Sequence, residues 1–254
     1  RKIAFIACQY PDHAERFLAL GADSAKVSAL GSVKFDVRLS EDHAQRVAAL
    51  RGGWGADAKK VWIAGSTHPG EESTLIEAHR EVCRTHPDAL LLLVPRHPER
   101  ADDVERLVKS AGLSVRRQSA VQGEGLDGAA VVLCDTMGQL QYLYGLSDVA
   151  FLGGSLVSVG GHNPIEAAVC EQPLIMGPET FNFPDVVAAF SDAGCLFVVT
   201  DAHAVAQVVA RLLSDEAERA RLGAVARQVV ADNAGASERI LALLRAEIRA
   251  RQHL

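Results

Sequence analysis

Polar, glycine-rich segments recur in this sequence directly after runs of apolar residues. Five of them carry groups that bind anions or hydroxyls, namely residues 65–68, 95–98, 135–138, 153–164 and 177–182. Glycine lets backbone N–H groups approach a ligand closely, and arginine and histidine donate hydrogen bonds to phosphates and carboxylates. In an open parallel sheet, ligands bind beyond the carboxyl ends of the strands. The five segments therefore predict a polar cleft along one edge of a sheet.

The segment 153–166, GGSLVSVGGHNPIE, has the most specific pattern. Two glycine pairs precede Asn163 and Pro164, which predict a helix with Asn163 as its N-cap and Pro164 as its first residue. The unpaired N–H groups and the dipole of such a helix favour an anion, by about 0.3–1 kcal/mol for the dipole at an exposed site. We therefore predict a phosphate-binding turn. The segment lacks the G-x-G-x-x-G pattern and the chain lacks a Walker lysine, so neither NAD nor ATP is indicated.

Two charged residues in these segments have two interpretations each. Glu166 lies three residues after Asn163, where a capping-box carboxylate satisfies backbone donors, but a carboxylate beside a phosphate also accepts from ribose hydroxyls. Arg96 follows the apolar run 89–94. Its planar guanidinium either binds a carboxylate or phosphate, or caps the following helix at the surface. Residue spacing alone leaves both alternatives open.

The histidines and cysteines indicate no metal or nucleophile. His68 and His97 lack a second His or Cys at metal-ligand spacing, so we expect no metal site and expect both rings to donate hydrogen bonds. The five cysteines lie far apart, mostly within apolar runs and without a C-x-x-C pattern. We expect them to be reduced core residues of a cytoplasmic protein.

The composition limits the class of partner. Lys and Arg number 26 against 32 Asp and Glu, a formal net charge of −6, so no basic field draws nucleic acid to the chain. The most apolar run, 89–94, is far shorter than the ~18–20 residues of a membrane span. The chain begins at Arg1 and enters an apolar run at once, from which we expect a fragment that lacks an upstream part.

Apolar runs alternate with helical patterns along most of the chain. Such strands predict a parallel sheet buried on both faces, hence an α/β, doubly wound fold, with helices throughout after Asp201. Glycine and charge interrupt the pattern at 51–60, where we place a domain boundary. Residues 1–50 are too short for a core of their own, so we interpret them as the tail of a preceding domain. Residues 51–235 are predicted to form the main domain, and residues 236–254 a terminal helix.

Six motifs together resemble one family. They read GSVKFD (31–36), WIAGSTHPGEE (62–72), LVPRHPER (93–100), DTMGQL (135–140), DVAFLGGSLVSVGGHNPIE (148–166) and MGPETFNF (176–183). In this order they are similar to the enzymes that transfer 3-deoxy-D-manno-octulosonic acid (Kdo) in lipopolysaccharide synthesis, a GT-B glycosyltransferase family that uses CMP-Kdo. The similarity extends from about Gln9 to the C-terminus.

Two positions depart from the family pattern. The family usually reads G-N-x-K where this chain has Gly31-Ser32-Val33-Lys34, and N-P-L-E-P where Ala167 follows Glu166. The second departure removes a proline, which weakens any inference about the rigidity of that loop.

The resemblance implies two Rossmann-like domains, of which the C-terminal one binds CMP-Kdo and the N-terminal one presents lipid IVA. It implies inversion without a metal or another cofactor, at the cytoplasmic face of the bacterial inner membrane, with the membrane anchor and a glutamate general base upstream of this chain. We therefore expect a soluble donor-binding half that is inactive alone. The implied donor-binding residues are Ser66, Thr67, Arg96, Met137, Gly138, Gly161, Asn163, Glu166 and Asn182, and the implied electrostatic catalysts are Arg96 and Lys34.

Three other classes of protein remain open at this point. Another GT-B enzyme, such as a UDP-sugar transferase or epimerase, would keep the phosphate-binding turn but lack the PRHPER and GPETFNF motifs. A non-catalytic sugar-nucleotide sensor would share the residues of this half. An interaction scaffold is disfavoured, because the polar loops cluster at strand ends.

Overall fold

A computed structural model describes residues 3–121, 125–126 and 128–252. The strands are β1 (Ile6–Cys8), β2 (Val27–Ala29), β3 (Val61–Thr67), β4 (Leu90–Pro95), β5 (Val115–Arg117), β6 (Val131–Leu133), β7 (Val149–Leu152), β8 (Leu174–Met176) and β9 (Leu196–Val198). The helices are α1 (Pro11–Ala19), α2 (His43–Gly53), α3 (Glu71–Thr85), α4 (Ala101–Ser110), α5 (Leu140–Leu146), α6 (Ile165–Ala168), α7 (Pro184–Asp192), α8 (Ala202–Ser214), α9 (Glu216–Asn233) and α10 (Ala236–Gln252). Strands and helices alternate as the apolar pattern predicted, and helices follow the last strand.

The chain divides into two compact units, residues up to 38 together with those from 228, and residues 39–227. Within the described residues, the larger unit has a seven-stranded sheet in the order β5-β6-β4-β3-β7-β8-β9, and its strand pairs are parallel. Because β4 and β7 flank β3 on opposite sides, the strand order reverses between β3 and β7, which is where ligands bind in such sheets. The predicted α/β doubly wound fold is confirmed.

The two central strands of this sheet are buried on both faces. The side chains of residues 61–64 and 90–93 are inaccessible to solvent, and each buried leucine stabilises the fold by about 1.5–3 kcal/mol. The indole Nε1–H of Trp62 donates to Nδ1 of His79 at 3.1 Å, and Nε2 of His79 lies 2.8 Å from the Ala130 carbonyl. Burial lowers the pKa of His79 to about 4, so this ring is neutral near pH 7. The ends of β3 and β4 are therefore fixed by a closely packed core.

The smaller unit contains one parallel β1-α1-β2 element and the helix α10. The Asp36 carboxylate accepts the N–H groups of Gly235 and Ser237 at 2.5 and 2.6 Å. Burial raises the pKa of Asp36, but the hydrogen bonds from Ser237 and Gly235 outweigh it and leave this pKa lowered. The carboxylate therefore ties the start of α10 to the first 38 residues of the unit.

The compact units divide the chain at positions other than the predicted domain bounds. Helix α2 belongs to the larger unit, because the Arg51 guanidinium donates to the carbonyls of Leu146 and Lys59 at 2.7 and 2.9 Å. Nε2 of His43 also lies 3.2 Å from the Gln141 carbonyl. The interpretation of the first residues as the tail of a preceding domain stays a prediction. Within the described ranges, every helix is too short or too polar to cross a membrane.

Candidate functional site

The five polar segments named from the sequence follow β3, β4, β6, β7 and β8, which are five adjacent strands of the larger sheet. Because these strands are parallel, their carboxyl ends share one edge, and the predicted clustering of the segments is confirmed. The nine predicted donor-binding residues all lie in these segments or in α6. Lys34 lies in the smaller unit, in a 3₁₀ turn over Val33–Phe35.

The end of β3 is irregular at Ser66. This residue has a left-handed backbone, with φ of 57°, at a register shift between Gly65 and Thr67. A Cβ on Gly153 would lie only 2.4 Å from the Ser66 carbonyl oxygen, so the loop after β7 packs directly on this irregularity. A non-glycine residue in this conformation costs about 1–3 kcal/mol and occurs often at binding sites.

The side chain of Thr67 has a structural partner. Its buried hydroxyl donates to Oε1 of Glu72 at 3.1 Å, and the Arg100 guanidinium binds both oxygens of Glu72 at 2.7 and 3.2 Å. Only 1% of the Glu72 side chain is exposed. Thr67 therefore belongs to a buried network that holds the start of α3, and its hydroxyl is engaged in that network.

The Glu71 carboxylate joins the loops after β3 and β7. This residue is fully buried at the first position of α3. One oxygen accepts the N–H groups of His68 and Gly154 at 2.9 and 2.7 Å, and the other accepts those of Ser155 and Leu156 at 3.0 and 2.9 Å. Four backbone donors are thus satisfied within the protein. Glu71 cannot serve as a general base, because it is buried and saturated with hydrogen bonds.

The turn predicted to bind phosphate differs from the prediction in where its helix starts and in how many of its N–H groups are unpaired. Helix α6 has four residues and begins at Ile165, one residue later than predicted. The Asn163 side chain accepts from the Ile165 N–H at 3.2 Å. The N–H groups of Gly161 and His162 donate to the carbonyls of Gly154 and Gly153 at 2.7 and 3.1 Å. Among the described residues, the N–H groups of Gly160 and Asn163 have no such acceptor. Within the described part of the turn, the N–H groups of Gly160 and Asn163 are therefore the backbone donors left for a ligand.

Asn182 holds this turn from the loop after β8. Its side-chain amide donates to the Val159 carbonyl at 2.8 Å, and its backbone N–H donates to the Gly160 carbonyl at 3.0 Å. A Cβ on Gly160 would meet the Asn182 and Phe181 side chains at 2.7 and 2.5 Å, which only glycine avoids. In this structure Asn182 positions the backbone of the turn.

Glu166 differs from Glu71 in having no hydrogen-bond partner among the described residues. The capping-box hydrogen bond to Asn163 does not form. The side chain is partly buried, and burial raises the pKa of its carboxyl. The carboxylate is also close enough to Tyr144 and Cys170 to raise their pKa values beyond the effect of burial. A partly buried acceptor without a donor is the kind of group that a bound hydroxyl would satisfy.

Arg96 and three histidines lie together beside the turn. The Arg96 side chain is exposed and has no carboxylate partner in the described part of the chain, while its N–H donates to the Thr67 carbonyl at 2.9 Å. Nε2 of His68 lies 2.8 Å from Nε2 of His162, and the rings stack with centroids 5.1 Å apart. The His97 ring meets His68 edge-on at 5.9 Å. Arg96 is thus an unpaired cation at the strand edge, as the ligand-binding interpretation requires.

The loop after β6 is open to solvent. The Met137 side chain is 70% exposed, and Gly138 has φ of 75°. The Asp135 carboxylate accepts from the N–H and hydroxyl of Ser119 at 3.0 and 2.7 Å, which anchors the loop at its start. Residues 137 and 138 are therefore exposed to solvent on a loop whose first residue is held in place.

Two features of this edge were not predicted from the sequence. Gly154 lies 83 residues from Glu71, and His162 lies 94 residues from His68, so no local pattern links either pair. Among the described residues, no group of three or more His, Cys, Asp or Glu side chains is placed to hold a metal ion.

Comparisons with known proteins point to one group of enzymes. The family described as Glycosyl transferases group 1 matches residues 71–229. The 3-deoxy-D-manno-octulosonic acid transferase of Haemophilus influenzae is 38% identical over 96% of this chain and 57% of its own length. That of Bordetella pertussis is 37% identical over 93% of this chain and 55% of its own length. This chain thus spans slightly more than half of each relative.

A solved structure is similar over three quarters of this chain. The C-terminal CMP-Kdo binding domain of WaaA from Acinetobacter baumannii is 32% identical, with a TM-score of 0.70. The match covers 75% of this chain and 99% of that domain.

Proposed function

Since this chain belongs to the group 1 glycosyl transferases, with the GT-B fold, and within them to the Kdo transferases, we propose that its strand edge binds CMP-Kdo and that the protein transfers Kdo to lipid IVA. One observation carries this proposal. A relative named as a CMP-Kdo binding domain is matched over 99% of its length. The strand edge of this chain has groups that could bind each part of such a donor. They are the Arg96 guanidinium, the Gly160 and Asn163 N–H groups, the Glu166 carboxylate and the backbone of 137–138.

CMP-Kdo carries two anionic groups, a phosphodiester and a sugar carboxylate. When its anomeric C–O bond breaks, negative charge moves onto the departing phosphate. Donors fixed in advance around that position stabilise the transition state more than the ground state. We propose that Arg96 and the N–H groups of Gly160 and Asn163 are these donors. A phosphate leaving group stabilised in this way needs neither a metal nor another cofactor.

We assign the nucleoside to the two remaining groups. The Glu166 carboxylate would accept hydrogen bonds from the ribose hydroxyls, which satisfies an oxygen pair that now lacks donors. The backbone of Met137 and Gly138 would meet the base edge, where an exocyclic amine and a carbonyl call for opposite partners. Inversion at the anomeric carbon and action at the inner membrane are further parts of this proposal.

We also propose that residues 1–254 on their own bind the donor but do not transfer the sugar. Transfer needs a base within about 3 Å of the acceptor hydroxyl. The candidates in the larger unit are Glu71, which is saturated and buried, His68, which is hydrogen-bonded to His162, and His97, whose Nδ1 lies 3.5 Å from Oε1 of Glu99. Multiple-turnover transfer to lipid IVA by purified 1–254 would contradict this part and leave donor binding intact.

Calorimetric titration with CMP and UMP tests the proposed donor. CMP should bind at least about fivefold more tightly, since one mismatched polar group at the base costs about 1 kcal/mol or more. Addition of EDTA should leave both affinities unchanged. Tighter binding of UMP would favour a UDP-sugar enzyme instead. Arg96→Lys keeps the charge but loses the guanidinium fork, so wild-type donor affinity in that variant would remove Arg96 from the site.

A further inference from the structure

The His68 and His162 rings form a hydrogen-bonded pair at the strand edge. Their Nε2 atoms are 2.8 Å apart, so one ring donates its proton and the other accepts it. The rings come from the loops after β3 and β7, where the strand order reverses and the sheet opens. Both rings are partly exposed. The pair therefore lies where a ligand enters, and neither ring belongs to the core.

The charged groups around the pair are cationic or already engaged. From the loop after β4, the side chains of Arg96 and His97 lower the pKa of both rings. From α3, the negative charges of Glu71 and Glu72 raise the pKa of His68, but these carboxylates are bound to four N–H groups and to Arg100. In the described residues, no carboxylate contacts either ring.

Burial is the largest influence on both rings and lowers the pKa of His68 and His162, the latter to about 4. Without a ligand, the pair is therefore neutral near pH 7. An anion placed against the rings and Arg96 would reverse the local charge, which favours the protonated form. With one added proton, each ring would have an N–H group that is not used between the two rings. The pair could then donate to a phosphate oxygen and keep its internal hydrogen bond.

We propose that His68 and His162, together with Arg96, form a proton-linked anion site, in which the pair takes up one proton from solvent as the phosphate of the nucleotide binds. This inference rests on the proposed CMP-Kdo site and adds the groups that recognise its phosphate. The reaction is one imidazole plus one solvent proton giving one imidazolium, with no bond formed to the ligand. Affinity should fall as pH rises above 7, because binding then competes with a lower proton concentration.

Proton uptake can be measured directly. CMP is titrated calorimetrically at pH 7.5 in several buffers with different ionisation enthalpies, and the slope of observed enthalpy against ionisation enthalpy counts the protons taken up. We expect an uptake close to one for the wild type. The CMP phosphate itself can only lose a proton on entering a cationic site, so uptake reports on the protein.

Variants assign the proton to the pair. In His162→Gln and His68→Gln the uptake should fall to near zero and CMP should bind about tenfold more weakly, since a charge-assisted hydrogen bond is lost. His203→Gln is the matched control, because His203 is an exposed histidine on α8, paired with Glu81, and should keep wild-type uptake and affinity. Thermal unfolding of each variant verifies its fold.

The outcomes separate this inference from the proposed function. CMP binding without proton uptake, or uptake that persists in both His→Gln variants, would overturn the proton-linked site and leave the donor assignment standing. UMP binding with uptake would overturn the CMP assignment and keep the anion site. Absence of binding by either nucleotide would overturn both.

Discussion

Glu71 and Glu166 occupy similar positions at the carboxyl edge of the sheet, each in the first turn of a helix that follows a polar loop. Glu71 is fully buried and accepts four backbone N–H groups. Glu166 is partly buried and, in the described residues, accepts none. Residue type and position in the helix are alike, so they do not decide which carboxylate is structural. The difference lies in whether the protein itself supplies the donors.

The comparison also separates the two loops that these helices follow. The loop after β7 is held at 154–156 by Glu71 and at 159–160 by Asn182, which leaves the turn at 160–163 between two fixed points. A binding turn that is held in this way loses little conformational entropy when a ligand arrives. In the proposed site, Glu71 would contribute to binding through the backbone, whereas Glu166 would contact the ligand directly.

The largest effect is expected for Glu71→Gln. The amide keeps the size of the side chain but replaces one acceptor oxygen with a donor, which leaves two buried N–H groups opposite an NH₂ group. Hydrogen bonds to charged groups are each worth about 1.5–3 kcal/mol, so the loss of two of them predicts a decrease of about 3–6 kcal/mol in the free energy of unfolding. Denaturant unfolding measures this loss. Glu99→Gln, at an exposed glutamate, is the control and should change stability by less than about 0.5 kcal/mol.

Glu166→Gln should show the opposite pattern. We expect CMP to bind about tenfold more weakly, equal to about 1.4 kcal/mol, because an amide offers the ribose one acceptor oxygen instead of two. The fold should be no less stable than the wild type at pH 7, since a partly buried carboxylate without donors is removed. Calorimetry on this variant tests the predicted loss of CMP affinity, and denaturant unfolding tests the predicted stability. A stability loss like that of Glu71→Gln would erase the distinction between the two glutamates.

Asn182→Ala tests whether the second fixed point of the turn matters. The substitution removes the hydrogen bond to the Val159 carbonyl. We expect a loss of about 1 kcal/mol in unfolding free energy and a several-fold weaker affinity for CMP, because the N–H groups at 160 and 163 lose their fixed position. Asn233→Ala removes a side-chain hydrogen bond on an exposed helix face and should leave CMP affinity unchanged. Equal CMP affinity in wild type and Asn182→Ala would show that Glu71 alone positions the turn.

The smallest effect is the pH dependence contributed by Glu166. Because the folded state raises the pKa of this carboxyl, its contribution to stability is fully present below the pKa of an unfolded glutamic acid and is lost as the pH rises through the folded value. The stability of the wild type relative to Glu166→Gln should therefore decrease from acidic to neutral pH. Parallel unfolding curves at several pH values measure this difference. A difference that stays constant with pH would mean that Glu166 is as well solvated as in the unfolded chain.

Much of this fold could be predicted from the sequence, because unbroken apolar runs such as 89–94 are typical of strands buried on both faces. The five polar segments were placed correctly for the same reason, since each follows such a run. The start of α6 was predicted one residue too early, because an Asn side chain before proline can form a local turn as well as a cap. The domain bounds differed because glycine and charge at 51–60 mark only the end of α2.

The contacts that decide the role of each site residue could not be predicted. Glu71 and His68 come from one loop and their partners at 154–156 and 162 from another, and only the pairing of β7 with β3 brings these loops together. Arg96 and Glu166 were recognised as candidates, but only the fold shows that their side chains have no hydrogen-bond or ion-pair partner among the described residues. The part that Lys34 plays in catalysis stays a prediction.

The pairing of β7 with β3 has a consequence for how the larger unit forms. During synthesis, β3, β4 and β6 leave the ribosome before β7. Until β7 is made, one edge of the highly apolar strand β3 therefore has no strand to pair with. The Glu71 carboxylate also lacks most of its hydrogen bonds at that stage, since three of its four donors belong to residues 154–156. Pairing between distant segments slows folding and leaves apolar surface open to aggregation in the interval. The same strand order that opens the edge of the sheet to a ligand thus makes the nascent chain dependent on prompt completion of its second half.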